Sequence, residues 1–169
     1  MHQPEHRNVA SGFSLAEVIV VVIILGIAAG IVTPYVISTN DTALLSAGRT
    51  LASALQYAQS EAITSQVKVK VSFNTATNSY TLANIQGTTS TTMIHPIDKS
   101  DYVVNFSTQP GFEGVTLSNA VFGAGSVAEV TFDEMGSPDN SGTVTLTAGA
   151  SAYTVSVSEA TGTIVANPS

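Results

Sequence analysis

Residues 12–37 read GFSLAEVIVVVIILGIAAGIVTPYVI, and the last 20 of them, Val18 to Ile37, carry no charge. A run of that length and composition matches what a helix needs to cross a hydrocarbon core. It demands either lipid or a tightly packed partner, because an all-apolar helix leaves no face for water. Glu17 sits at the very start of the run. A carboxylate inside a membrane helix is costly and ordinarily has a partner. Any account of the segment must therefore explain both the grease and the acid.

Three accounts compete. A secretory signal peptide would use Val18–Ile27 as its apolar core and Ala28-Ala29-Gly30 as its cleavage site, releasing the rest after Gly30. The stretch before that core holds Arg7 but also Glu5 and Glu17, so the usual positive region is missing. A plain membrane anchor explains the length and leaves Glu17 without a purpose. The third account starts from Gly12-Phe13-Ser14-Leu15-Ala16-Glu17 followed directly by the apolar run. This resembles the class III signal of type IV pilins and type II secretion pseudopilins. The resemblance implies that a prepilin peptidase cuts between Gly12 and Phe13 and then N-methylates Phe13. It also implies that Glu17 pairs with the N-terminal amine of a neighbouring subunit. Gly26 and Pro34 fall where such proteins carry a packing glycine and a helix-bending proline. Independently, the dipole at a helix start favours a negative charge in the first turn, and Gly26 with Gly30 forms a small-residue pattern that lets helices approach closely.

Beyond Thr39-Asn40-Asp41, Leu44, Ala47, Leu51, Leu55, Ala58 and Ala62 recur at spacings of three and four, which places them on one helix face. Thr50, Ser53, Gln56, Gln59 and Ser60 take the opposite face. One long helix is expected from about residue 13 to 65, bent at Pro34, where a backbone donor is lost. At about 1.5 Å per residue it is roughly 80 Å long. The period then changes to two. Strands are expected at 67–73, 79–85, 102–107, 115–122, 128–133, 143–148, 153–158 and 163–166, with 87–100 a surface loop. The fold class is α+β: a long bent N-terminal helix packed on an antiparallel β-sheet domain. The divisions are a leader (1–12), a membrane or filament-core half-helix (13–37), an amphipathic half-helix (38–65) and a β-rich domain (66–169).

The C-terminal pattern narrows the resemblance. Val130-Thr131-Phe132-Asp133 with Gly136, then Thr143–Thr147, Tyr153–Val157 and Gly162-Thr163-Ile164, together with LASALQYAQSEAI at 51–63, is similar to the GspH/FimT group of minor pseudopilins and pilins. That implies a filament subunit held single-pass in the bacterial inner membrane with its C-terminal domain outside the cytoplasm, with other pseudopilins or pilins and an inner-membrane assembly platform as partners. A type II secretion pseudopilus is the first expectation. A type IV pilus serving adhesion, motility or DNA uptake is the alternative.

Other chemistry is poorly represented. Formal net charge is −7 and the five basic residues, Arg7, Arg49, Lys68, Lys70 and Lys99, form no cluster, so a phosphate-binding surface for nucleic acid is not expected. Lys68 and Lys70 alternate with valines as the polar face of one strand. There is no cysteine. His95 with Asp98 lacks any nucleophile motif beside it, so no enzyme is expected. Asp133, Glu134, Asp139 and Asn140 are oxygen donors of the type calcium takes, without its loop spacing; turn formation explains them. No cofactor is expected.

Overall fold

The computed structural model describes residues 14–168, without the side chains of residues 29–39. The chain divides into two compact units, residues 1–37 and 38–169. Helix α1, Leu15–Ser65, supplies the helix of both. The expected boundaries of this helix are thus close to the observed ones. The bend expected at Pro34, and the packing expected at Gly30, fall among side chains outside those described. So do Gly12 and Phe13.

Among the described residues of the second unit the helix meets nine strands: β1 (Lys68–Asn74), β2 (Ser79–Gln86), β3 (Thr89–Thr92), β4 (Val103–Asn105), β5 (Thr116–Phe122), β6 (Glu129–Phe132), β7 (Gly142–Ala148), β8 (Ser151–Val157) and β9 (Ile164–Pro168). They form two antiparallel sheets. One runs β3-β2-β1-β6, with β4 also pairing β2; the other runs β5-β7-β8-β9. The single sheet anticipated from the sequence is therefore two. The stretch 87–100 is not wholly loop either. Its Thr/Ser-rich residues Thr89–Thr92 fold back on β2 as a hairpin, because Gly87 supplies the left-handed turn at φ 61°.

The helical stripe Leu44, Ala47, Leu51, Leu55, Ala58 and Ala62 is buried, as its spacing requires, and Ala43 and Ala54 join it. Strand residues alternate correctly: Val69, Val71 and Phe73 point inward on β1 and Val144, Leu146 and Ala148 on β7. Phe73 of the first sheet stacks on Phe122 of the second at 5.7 Å, which joins the sheets through one aromatic contact. A fully buried Leu or Val stabilises by roughly 1.5–3 kcal/mol, so this shared core holds helix and sheets together.

Local polar devices set the connections. Gln66 ends α1 in the left-handed region at φ 54°, and its side-chain amide donates to Ile63 O (2.8 Å) and Glu134 O (3.0 Å). It thereby satisfies a helix-end carbonyl in the manner of a C-terminal cap. Asn78, also left-handed at φ 53°, accepts from Leu117 N (2.6 Å) and donates to Val115 O (2.9 Å). One asparagine thus ties the β1–β2 turn to the start of β5.

Candidate assembly site

Ser14 stands just before α1, and its Oγ accepts from the Glu17 amide at 3.2 Å. Its carbonyl accepts from the amides of Glu17 (3.0 Å) and Val18 (3.2 Å). Ser14 is therefore the N-cap, and Glu17 stands at the third helical position. That is the Ser-x-x-Glu spacing of a capping box. The spacing is written in SLAE, a signal the sequence reading missed, and is independent of any neighbour. It gives Glu17 a local reason to sit in the first turn: negative charge is favoured where four amide donors are exposed. Glu17 is itself exposed, so the carboxylate is open to a partner.

Around this acid the helix is apolar on every side. Leu15, Val18 through Leu25 and Ile27 are each between 49% and 78% exposed. A solvent helix would turn some polar face outward, and this one has none from Val18 to Ala28. No side chain approaches Gly26: nothing lies within 4 Å of where its Cβ would stand. The helix thus presents a bare surface at that turn, suitable for close approach of another helix. Among the described residues no helix is long and apolar enough to cross a membrane. The described side chains of the run stop at Ala28, so its second half, 29–37, lies outside that statement.

The other residues singled out in the sequence belong to the second unit and are accounted for locally. His95 Nδ1 lies 3.1 Å from Asp98 Oδ1, and the His95 ring meets the edge of Tyr102 at 4.6 Å. Hydrogen bonds from Ser100, backbone first and then side chain, hold the Asp98 carboxyl below its ordinary range, with His95 a smaller contributor. These contacts close the 95–100 loop, together with His95 N donating to Ser100 O at 2.8 Å. Asp133 Oδ1 accepts from the amides of Met135 (3.0 Å) and Ser137 (2.7 Å). Asp139 Oδ1 accepts from Thr131 N at 3.0 Å. Both carboxylates are thus building turns. Among the described residues no group of three or more His, Asp or Glu side chains could hold a metal ion. Lys70 pairs with Glu129 at 3.3 Å across neighbouring strands, a solvated strand face as expected.

Two contacts escaped the sequence reading. Gln59, assigned by spacing to the solvent face, donates to Gly136 O (2.8 Å) and Gly162 O (3.1 Å), joining two loops to the helix. Gly48 lies against the Tyr153 ring so closely that a Cβ there would overlap it. Helical periodicity gives a residue's face but not the length of reach of its side chain, nor the loop brought beneath it.

A family model described as type II transport protein GspH matches residues 47–161. A second, the prokaryotic N-terminal methylation motif, matches residues 7–33. No curated protein matches the chain. Among solved structures, the minor pseudopilin EpsH from the type 2 secretion system of Vibrio cholerae aligns at a TM-score of 0.59 and 15% identity, covering 74% of this chain and 96% of that one. The type IV minor pilin FimU of Pseudomonas aeruginosa aligns at 0.50 and 22% identity, covering 74% and 88%. At such identities the likeness is one of fold.

Proposed function

From the premise that the chain belongs to the GspH family of type II transport proteins, we propose that it is a minor pseudopilin of a type II secretion pseudopilus. It is a pilin-like structural subunit and not an enzyme. In the proposed sequence of events, Val18–Ile37 inserts in the inner membrane with the β-domain on its outer side. Prepilin peptidase cuts after Gly12 and methylates Phe13. The helix then leaves lipid for a bundle of neighbouring helices, with Gly26 and Gly30 allowing close approach and Pro34 bending the chain. Glu17 meets the amine of an adjacent subunit at that stage, and an assembly platform in the membrane receives the subunit.

The observation that carries this reading is the all-round exposure of apolar side chains directly behind a capped acid. A lone anchor requires the grease alone, and so does a signal peptide cleaved after Gly30; neither requires the acid. Opposite charges brought together out of water fix register more than they add stability, so Glu17 would select the stagger between subunits. The test is a chain carrying Glu17→Gln, expressed with the rest of the machine. It should still be cut at Gly12 yet enter the filament at least about tenfold less, the equivalent of about 1.4 kcal/mol. Normal incorporation of the variant would remove the role given to Glu17. The type IV pilus reading shares the same fold and the same processing; it differs in requiring a filament extending from the cell, which electron microscopy of labelled chain would reveal.

A further inference from the structure

Each sheet of the second unit has edges, and most are closed by the chain itself. On β6, Thr131 O accepts from Asp139 N (2.9 Å) while Thr131 N donates to Asp139 Oδ1 (3.0 Å). On β5, Leu117 N donates to Asn78 Oδ1. On β4, Val103 N donates to Asp101 O, and Asn105 O accepts from Thr108 and Gln109. Such coverings keep a sheet from recruiting strands.

β9 has none among the described residues, and among them it pairs only with β8. Ser158 N donates to Thr163 O at 3.0 Å, and antiparallel hydrogen bonds fall on every second residue. In the observed register Val165 faces Ser156 and Asn167 faces Thr154, so these two exchange bonds with β8. Ile164 and Ala166 direct their N–H and C=O groups away from the sheet, with no hydrogen bond to the described residues. The strand has no charge and no bulge, and its one proline, Pro168, lies at its end. The edge of β3 is also open at Ser90 and Thr92, but that strand has only four residues and they are largely exposed.

A cavity of about 340 Å³ opens at the Pro168 end of β9, lined by Leu44, Leu45, Ala152, Tyr153, Pro168 and the rim residue Asp41. Ser151 Oγ donates to Asp41 Oδ1 at 2.7 Å. Leu45, Ala52, Ile164 and Ala166 are half-buried against the hydrophobic core. An open strand edge ending in an apolar cavity is the arrangement by which a sheet takes up an extended peptide: backbone bonds hold the strand and the cavity reads one side chain.

We infer that β9 is a strand-addition site for an extended segment of a different subunit, which bonds to Ile164 and Ala166 and places an apolar side chain in the Leu44/Leu45/Tyr153 cavity. A second copy of this chain is the poorer occupant, because each copy has a net charge of −7 and like charges oppose association. A neutral or basic segment meets no such opposition, and Asp41 at the rim favours a basic residue flanking the apolar one. Locating that subunit in the filament rests on the function proposed above; the open edge does not.

Amide exchange on the full-length chain tests the site, read residue by residue in detergent and again in membranes of its host, where its neighbours are present. Ile164 and Ala166 should exchange fast in detergent and slow by at least about tenfold in host membranes. Val165 and Asn167 should be slow in both. Ala166→Pro removes one outward donor without touching a bond to β8 and should return Ile164 to fast exchange, whereas Ala166→Ser should not. Fast exchange of Ile164 and Ala166 in host membranes overturns the inference, as does slow exchange in detergent. The N-terminal mass of the same sample reports processing separately. Protection in an uncut chain would uphold the strand site and sink the filament; a cut chain without protection would do the reverse.

Discussion

Tyr80 shows what a single side chain does in this core. It is 1% exposed, its hydroxyl has no hydrogen-bond partner among the described residues, and burial pushes its pKa far above the ordinary tyrosine range. A buried hydroxyl without a partner costs about 1–3 kcal/mol. Its ring, 5.7 Å from Phe106, contributes the packing. Tyr80→Phe keeps the ring and removes the cost, so urea unfolding should show a chain at least as stable, by about 1 kcal/mol; a loss of that size would mean the hydroxyl is satisfied. Asp98 works at the surface. Its carboxyl is held below the usual 3.8, chiefly by Ser100. A lowered folded value means the ionised form favours the closed loop. That contribution is present above 3.8 and fades as pH falls through the lower folded value. NMR titration should place Asp98 below 3.8, and Ser100→Ala, which leaves the larger backbone bond in place, should move it only part of the way back up. Titration at or above 3.8 would dismiss the Ser100 bonds.

At the scale of elements, α1 is where sequence and structure agree best and where their difference is most instructive. All six residues of its predicted stripe are buried, because burial of an amphipathic face follows the 3.6-residue period whatever the partner. Gln59 and Gly48 were illegible, since their roles depend on Gly136, Gly162 and Tyr153, residues distant in sequence. Gln59→Ala would leave two loop carbonyls without this donor and should destabilise by about 1–3 kcal/mol in urea unfolding. An effect within experimental error would return Gln59 to the solvent face. Gly48→Ala sets two effects against each other. Alanine favours the helix by roughly 1 kcal/mol, while overpacking typically costs about 1–3 kcal/mol. Overlap with the Tyr153 ring, a side chain locked between helix and sheet, should win, and the variant should melt lower. A higher melting temperature would show that the ring yields. Apart from β3, strand positions were legible from alternation, but the division into two sheets was not. Alternation reports which side chains face inward and is silent on which strand lies beside which.

The whole molecule combines two regions with opposite needs. Residues 38–169 bury their own apolar side chains between a helix and two sheets. The described part of residues 1–37 buries none of its own and so depends on lipid or on other subunits. For the site, adjacent letters supply the expectation, GFSLAE, the glycines and the uncharged run, of which Gly12, Phe13 and Gly30 lie outside the described side chains. The Ser14 cap on the Glu17 amide was missed, although the Ser-x-x-Glu spacing spells it. The β9 edge was not legible, because an open edge is a property of what fails to lie beside a strand. The central claim, that this chain is processed as a prepilin and built into a filament, is tested most directly by the N-terminal mass of the protein from host membranes. A chain beginning at N-methylated Phe13 is the expected result. One beginning at Ile31 would make it a secreted domain, and an intact Met1 in a host possessing the peptidase would leave a simple anchor; either contradicts the account.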